Sequence, residues 1–133
     1  MRHELTPETF ENFQSQFHAL NDTVIDSVCV EIGQEHFSMT IKCTSLKSTE
    51  TEWARYNLTF QLDEVADIRF IRNPIAAIDV ILDARIEFFD GKIGINFHPT
   101  TFKSDIMTSI HKDSQFLVVA KRCFWEATKI EPN

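Results

Sequence analysis

The sequence is short of glycine and proline, with three Gly and four Pro among 133 residues. That is about 5% of the chain, against roughly 12% in average proteins. The scarcity excludes a collagen-like or low-complexity chain, and 43% hydrophobic residues, including twelve Phe, can fill a core. The length suits a single domain over residues 1–133, which would bury roughly two-thirds of its unfolded surface.

Basic residues are also scarce, since 13 Lys and Arg stand against 20 Asp and Glu and give a net charge of −7. Phosphate affinity depends on clustered Lys and Arg, so this balance argues against a nucleic-acid-binding protein. No apolar run approaches the roughly 20 residues that cross a bilayer, and no secretory signal is recognisable. We expect a cytoplasmic protein that binds neither nucleic acid nor membrane.

Metal-ligand patterns are missing too. The three cysteines, Cys29, Cys43 and Cys123, form no C-x-x-C pair, and no two of the five histidines lie within four residues of each other. We therefore predict neither a metal nor a cofactor. Each cysteine lies in a strand-like segment, where a free Cys usually behaves as a small buried apolar residue, and we expect all three to be buried.

The clearest local signal is a helix near the N-terminus. Thr6 is a good N-cap, and Pro7 fits the first helical position, where its missing N–H costs nothing. Four apolar side chains then recur at helical spacing: Phe10, Phe13, Phe17 and Leu20. The pattern predicts an amphipathic helix whose apolar stripe packs on a sheet.

After Asn21 and Asp22 the apolar period changes from 3.6 to two, which is typical of strands. The segments with this alternation, or with a short apolar run, are 24–32, 37–43, 54–62, 68–71, 93–97 and 116–125. Residues 45–52 are expected to form a polar loop, and residues 63–67 a bulge or a single helical turn. Residues 76–88 are apolar at every second position and fit one long strand, although a helix stays possible over residues 75–83. Asp90-Gly91 predicts a hairpin turn.

The order of these segments predicts an α+β fold. We expect a mainly antiparallel, curved or partly closed sheet of six to seven strands with an N-terminal amphipathic helix. No glycine-rich helix start follows a strand, so a doubly wound nucleotide-binding fold is excluded.

Acidic residues supply the first candidate binding site. Asp63, Glu64 and Asp67 cluster after one predicted strand, and three more acids follow on the next: Asp79, Asp83 and Glu87. If residues 78–88 form a strand, these last three share the face opposite its apolar side chains. Nothing nearby supplies a nucleophile or a phosphate loop, so no catalytic residue is predicted. An acidic face suits a basic protein partner, because complementary charge speeds and orients encounter.

Trp53 closes the polar loop and is the aromatic residue best placed to anchor an interface. Together with the acidic face it predicts a non-enzymatic protein-binding domain. The alternative is a small-ligand-binding domain or enzyme, with an aromatic-lined pocket edged by Arg85, His98 and Asp105. A homodimer through the sheet edge stays open under either hypothesis.

A family resemblance begins where the helix ends. The stretch Leu20–Val28 opens a strand after a helix rich in phenylalanine, and Trp53, Leu58-Thr59-Phe60 and the break at Glu64-Val65 follow. This order resembles small bacterial proteins of unknown function that include immunity proteins of polymorphic toxin systems. In those proteins a His-Asp-Ser motif precedes the first strand, and a Leu-Thr-Phe…Val strand comes later.

In this sequence Asn21 replaces the histidine of that motif and Thr23 replaces the serine, while Asp22 matches. The match extends over about half of the chain and includes no catalytic signature. The resemblance implies an α+β domain that neutralises a toxin by binding it, with Asp22 as a structural turn residue.

Overall fold

The computed structural model describes residues 1–48, 52–70, 80–81, 84–97 and 116–131. In these ranges one α-helix and eight strands follow one another along the chain. They are β1 (His3–Glu4), α1 (Phe10–Phe17), β2 (Thr23–Ile32), β3 (Phe37–Ser48), β4 (Trp53–Phe70), β5 (Val80–Ile81), β6 (Arg85–Phe89), β7 (Lys92–Asn96) and β8 (Phe116–Lys129). A 3₁₀ turn over His18–Leu20 follows the helix.

All eight strands belong to one antiparallel sheet with the order β5-β2-β3-β4-β8-β7-β6, and β1 pairs with β8 beside this path. The predicted α+β class and antiparallel sheet are confirmed. The described strands do not close into a barrel, because β5 and β6 stand at the two ends of the order. The helix has only eight residues and follows β1, so it does not open the fold. No helix in the described ranges combines the length and apolar character that crossing a bilayer requires.

The helix begins later than the sequence predicts. Its N-cap is Thr9, not Thr6, because these two threonines close a turn in which the Thr6 N–H donates to Thr9 Oγ1 at 2.8 Å. The Thr9 hydroxyl also donates to the Glu4 carbonyl at 2.9 Å, which ties the turn to β1. The predicted apolar stripe is nevertheless correct, since Phe13, Phe17 and Leu20 are fully buried.

Aromatic rings join the helix to the middle of the sheet. Phe13 lies 5.9 Å from Phe60 of β4 and 5.3 Å from Trp125 of β8, and Phe17 lies 5.6 Å from Trp125. The core continues over the same face of the sheet through Met39, Ile41, Leu58, Leu62, Ile93, Ile95, Phe97, Phe116 and Val118. We call this the helix face and the other side the opposite face.

Of the two irregular segments predicted, 45–52 and 63–67, the first is partly wrong and the second is confirmed. β3 runs on to Ser48, so the predicted loop at 45–52 is wrong as far as Ser48. Ser45 is buried there because its hydroxyl lies 2.6 Å from that of Thr23, which satisfies both polar groups. β4 is continuous, and its register shifts between Val65 and Asp67, which confirms the predicted bulge.

The turn at Asp90-Gly91 is confirmed. Both residues have positive φ, 50° and 71°, and Phe89 pairs with Lys92 across a two-residue loop of the kind that favours Asp-Gly. The predicted long strand over residues 76–88 is wrong, because β5 and β6 are separate strands that pair with β2 and β7 at the two ends of the sheet order. From the segment 75–83 the structure describes only Val80–Ile81, as a strand, and the rest lies outside the described residues.

The cysteines divide into two kinds. Cys43 and Cys123 are buried on the helix face, and burial raises the pKa of Cys43 to about 12 and the pKa of Cys123 well above its usual range. Cys29 is exposed, so the expectation that all three are buried is wrong. It pairs with Thr40 on the opposite face, which α1 does not cover.

Candidate functional site

A cleft lies at the end of the sheet where two hairpin turns meet. Strand register places Phe37, Val65, Ala120 and Ile93 in one row across β3, β4, β8 and β7. The turns that join β2 to β3 and β6 to β7 therefore lie at the same end. The open cleft between them has a volume of about 560 Å³ and is lined by residues 33–37, 64–66, 90–92 and Lys121.

Glu64 forms the centre of the cleft. Its φ of 52° lies in the left-handed region, which costs a residue with a side chain roughly 1–2 kcal/mol. Its carboxylate reaches two basic side chains, with Oε1 3.2 Å from His36 Nε2 and Oε2 3.7 Å from Lys121 Nζ. One side chain of β4 thus bridges the β2–β3 turn and β8.

Phe37 forms an apolar wall beside this bridge. It is 48% exposed, and it is the single phenylalanine in the lining of the cleft. The remaining charges are mixed, since Lys92 stands with Glu35 and Asp90. An exposed aromatic ring with a rim of charged groups is the usual composition of a protein-binding surface.

The three clustered acids do not share one surface. Asp63 points to the opposite face, where its carboxylate accepts a hydrogen bond from Gln61 Nε2 at 3.2 Å and lies 3.7 Å from Arg2 Nη2. Asp67 is exposed beyond the bulge. Of these three acids only Glu64 lines the cleft.

Of the second acidic group, only Glu87 lies within the described residues. It pairs with Gly94 and is half-buried, on the side of β6 away from the core-packed Ile86 and Phe88. Its Oε2 is shielded from solvent and has no hydrogen-bond partner among the described residues. Asp79 and Asp83 lie outside those residues, and the single strand that was expected to align them with Glu87 is divided into β5 and β6. Their part in a binding surface stays a prediction.

Trp53 is exposed as predicted, but it lies far from the cleft. It is 62% exposed, and its ring lies 5.0 Å from that of His18. Twelve positions of β4 separate it from Val65, which is roughly 40 Å along the strand at 3.3 Å per residue. The structure therefore separates the predicted aromatic anchor from Glu64.

The pocket of the alternative hypothesis is only partly described. Arg85 pairs with Asn96 in β6 and is half-buried, whereas His98 and Asp105 lie outside the described residues. Five phenylalanines are fully buried in the core: Phe13, Phe17, Phe60, Phe97 and Phe116. The aromatic-lined pocket stays a prediction.

Sequence reasoning missed three residues of the cleft: His36, Phe37 and Lys121. Phe37 begins a predicted strand and His36 lies in the link before it, and the structure places both residues so. Nothing in the local sequence shows that this turn faces Lys121, which is 85 positions later. The missing information is the register of β3, β4 and β8.

The described residues offer no metal site, since no group of three His, Cys, Asp or Glu side chains among them could hold an ion. No protein-family model matches the sequence, and neither a curated protein nor a solved structure is significantly similar to it. The likeness to immunity-type proteins therefore stays a prediction. Asp22, its matching residue, has a left-handed φ of 59° in the turn before β2.

Proposed function

We propose that the protein is a non-enzymatic binding domain that holds a protein partner in the cleft between its two hairpin turns. The exposed ring of Phe37 carries this proposal. A large apolar side chain that stays half-exposed beside charged groups contributes little to its own fold. It loses more contact with water when a partner covers it.

The bridge made by Glu64 supports the same function. It connects the β2–β3 turn to β8 through a contact with His36 and an ion pair with Lys121, so the wall that carries Phe37 is held in place before a partner arrives. A preformed surface loses less conformational entropy on binding, which favours affinity. An exposed ion pair contributes only about 0–1 kcal/mol to the free energy of unfolding, so this bridge matters because it fixes the position of the wall.

The partner that fits best is a basic protein. A net charge of −7 attracts a positively charged partner over a distance, and the effect weakens as salt screens it. An immunity-type inhibitor of a basic toxin is the concrete form that the family resemblance implies. The net charge and the family resemblance are the two observations that support this form.

Calorimetric titration against the purified products of neighbouring genes tests the proposal. Phe37→Ala is expected to weaken binding by roughly tenfold or more, the usual effect of removing an aromatic anchor. Trp53→Ala is the matched control, because it removes an even more exposed aromatic ring that lies twelve positions from Val65 along β4, outside the lining of the cleft.

If Trp53→Ala abolishes binding while Phe37→Ala leaves it unchanged, the cleft is not the binding surface. If no neighbouring product binds the unaltered protein, the immunity-type form is wrong. Affinity for a basic partner should also fall as salt is raised, and an affinity independent of salt would contradict the charge argument.

A further inference from the structure

Arg2 lies over an aromatic ring on the opposite face of the sheet. Its Cζ atom is 3.8 Å from the centroid of the Phe124 ring, well within the range of a cation–π contact. The same guanidinium places Nη2 3.7 Å from Oδ2 of Asp63. A planar cation thus lies on an aromatic face and beside a carboxylate, the two groups that recognise a guanidinium best.

The sheet itself positions the ring and the carboxylate. Strand register sets Gln61 of β4 opposite Phe124 of β8, and Asp63 lies two positions further along β4 on the same face. Gln61 Nε2 donates a hydrogen bond to Asp63 Oδ1 at 3.2 Å, while Gln61 Oε1 accepts one from Thr40 Oγ1 at 2.6 Å. The carboxylate is therefore oriented by its neighbours in the sheet as well as by Arg2.

Arg2 is attached to this site through the strand that follows it. β1 pairs with β8, and the ring of His3 stacks on that of Trp125 at 4.6 Å, so the backbone next to Arg2 is fixed. The side chain of Arg2 is 54% exposed and that of Asp63 is 39% exposed. Contacts this open to solvent are weak, so the guanidinium can leave while β1 stays in place.

A shallow groove surrounds the contact, with a volume of about 420 Å³. Glu126 and Thr59 extend its lining beyond Arg2, and they pair with each other across β8 and β4. The lining contains two carboxylates, those of Asp63 and Glu126, and one cation, that of Arg2. Without Arg2 the groove would present two negative charges and several hydrogen-bond acceptors around the Phe124 ring. We call it the Arg2 groove.

We propose that the Arg2 groove binds an arginine side chain of a basic protein, and that Arg2 occupies the groove until that side chain displaces it. The charge of the lining and the net charge of −7 both favour a cationic occupant. Arginine fits better than lysine, because its planar group can stack on Phe124 and donate to a carboxylate at once. The inference rests on the proposed function for the partner, whereas the site itself rests on the contacts that Arg2 makes.

Nuclear magnetic resonance titration with N-acetylarginine amide tests the site, with the amide signals of Gln61 and Phe124 as reporters. Arg2 competes at a high effective concentration because β1 holds it beside the groove. Arg2→Ala should therefore bind the probe roughly threefold to tenfold more tightly than the unaltered protein. Arg55→Ala is the matched control, since it removes an exposed guanidinium elsewhere on β4 and should leave the affinity unchanged.

The Arg2→Ala protein also allows the recognition to be divided into its parts. N-acetylcitrulline amide has nearly the shape of the arginine probe without its charge, and we expect no measurable binding of it. Adding Phe124→Leu or Asp63→Asn should each weaken binding of the arginine probe by roughly threefold or more. Both side chains are partly exposed, so these variants should fold, as circular dichroism can verify.

Equal affinity of Arg2→Ala and the unaltered protein would overturn the occupation of the groove by Arg2. The site itself would be overturned if Arg2→Ala does not bind the arginine probe, or binds citrulline equally well. The lining of the groove shares no residue with that of the cleft, so these results do not depend on Phe37. If the arginine probe binds and no basic partner does, the proposed function is wrong while the arginine site stands.

Discussion

Truncating Phe13 tests whether α1 is an integral part of the core. The ring is fully buried and contacts Phe17 at 5.1 Å, Trp125 at 5.3 Å and Phe60 at 5.9 Å. An isolated eight-residue helix is unstable in water, so α1 depends on this packing. Phe13→Ala should therefore loosen the helix as well as leave a cavity.

The expected loss is about 3–5 kcal/mol of the free energy of unfolding, as for other fully buried phenylalanines. Alanine is the better helix former by at most about 0.7 kcal/mol, so helix propensity opposes the loss and cannot produce it. With a urea dependence near 2 kcal/mol per molar, the unfolding midpoint should fall by roughly 2 M.

Urea unfolding followed by tryptophan fluorescence measures the effect, because Trp125 lies against the altered site. Phe10→Ala is the matched control on the same helix. Phe10 is only half-buried, with an edge contact to Phe88 at 5.9 Å, and should cost clearly less. A loss below about 1 kcal/mol for Phe13→Ala, with an unchanged urea dependence, would refute the packing of α1 on the sheet.

Four further outcomes are expected. A thiol reagent should modify Cys29 in the folded protein, and Cys43 should react only after unfolding; rapid modification of Cys43 would contradict its burial. Folding raises the pKa of Cys43 from 9.0 to about 12, so the buried thiol stabilises the folded state fully below pH 9. Between pH 9 and pH 12 this stabilisation is lost by about 1.4 kcal/mol per pH unit. The free energy of unfolding should therefore fall less steeply with alkaline pH in Cys43→Val than in the unaltered protein. Acrylamide should strongly quench the fluorescence of Trp53, measured in Trp125→Phe, and weakly quench that of Trp125, measured in Trp53→Phe. Glu64→Gly and Glu64→Ala both lose the contacts with His36 and Lys121, but glycine tolerates positive φ, so urea unfolding should find the glycine variant more stable by about 1 kcal/mol.

Local pattern was sufficient where a short stretch decides the structure. The spacing of Phe13, Phe17 and Leu20 identified the buried side of the helix because burial follows the helical period. Asp90-Gly91 identified a hairpin because its turn needs two residues with positive φ. The alternation from Met39 to Cys43 identified a half-buried strand for a similar reason.

Prediction failed where distant segments decide. Val28, Val30 and Ile32 of β2 alternate as regularly as the buried residues of β3, yet all three are exposed. The cysteine in that strand was misassigned for the same reason. The cleft depends on the register among β3, β4 and β8, which no local period encodes.

The alternation of buried and exposed side chains reverses in β4 and β8 beside the cleft. Leu62 and Val65 both contact the core although an odd number of positions separates them, so the alternation of β4 reverses between them. The left-handed backbone of Glu64 accommodates that reversal. β8 reverses at the same level, since Ala120 and Cys123 are both buried while Lys121 and Arg122 are exposed. Next to Val65 and Ala120, the side chains of Glu64 and Lys121 lie outside the core and form an ion pair in the cleft. The core stays apolar because the alternation of side chains reverses in both β4 and β8. The same reversal places two charged side chains together between the hairpins.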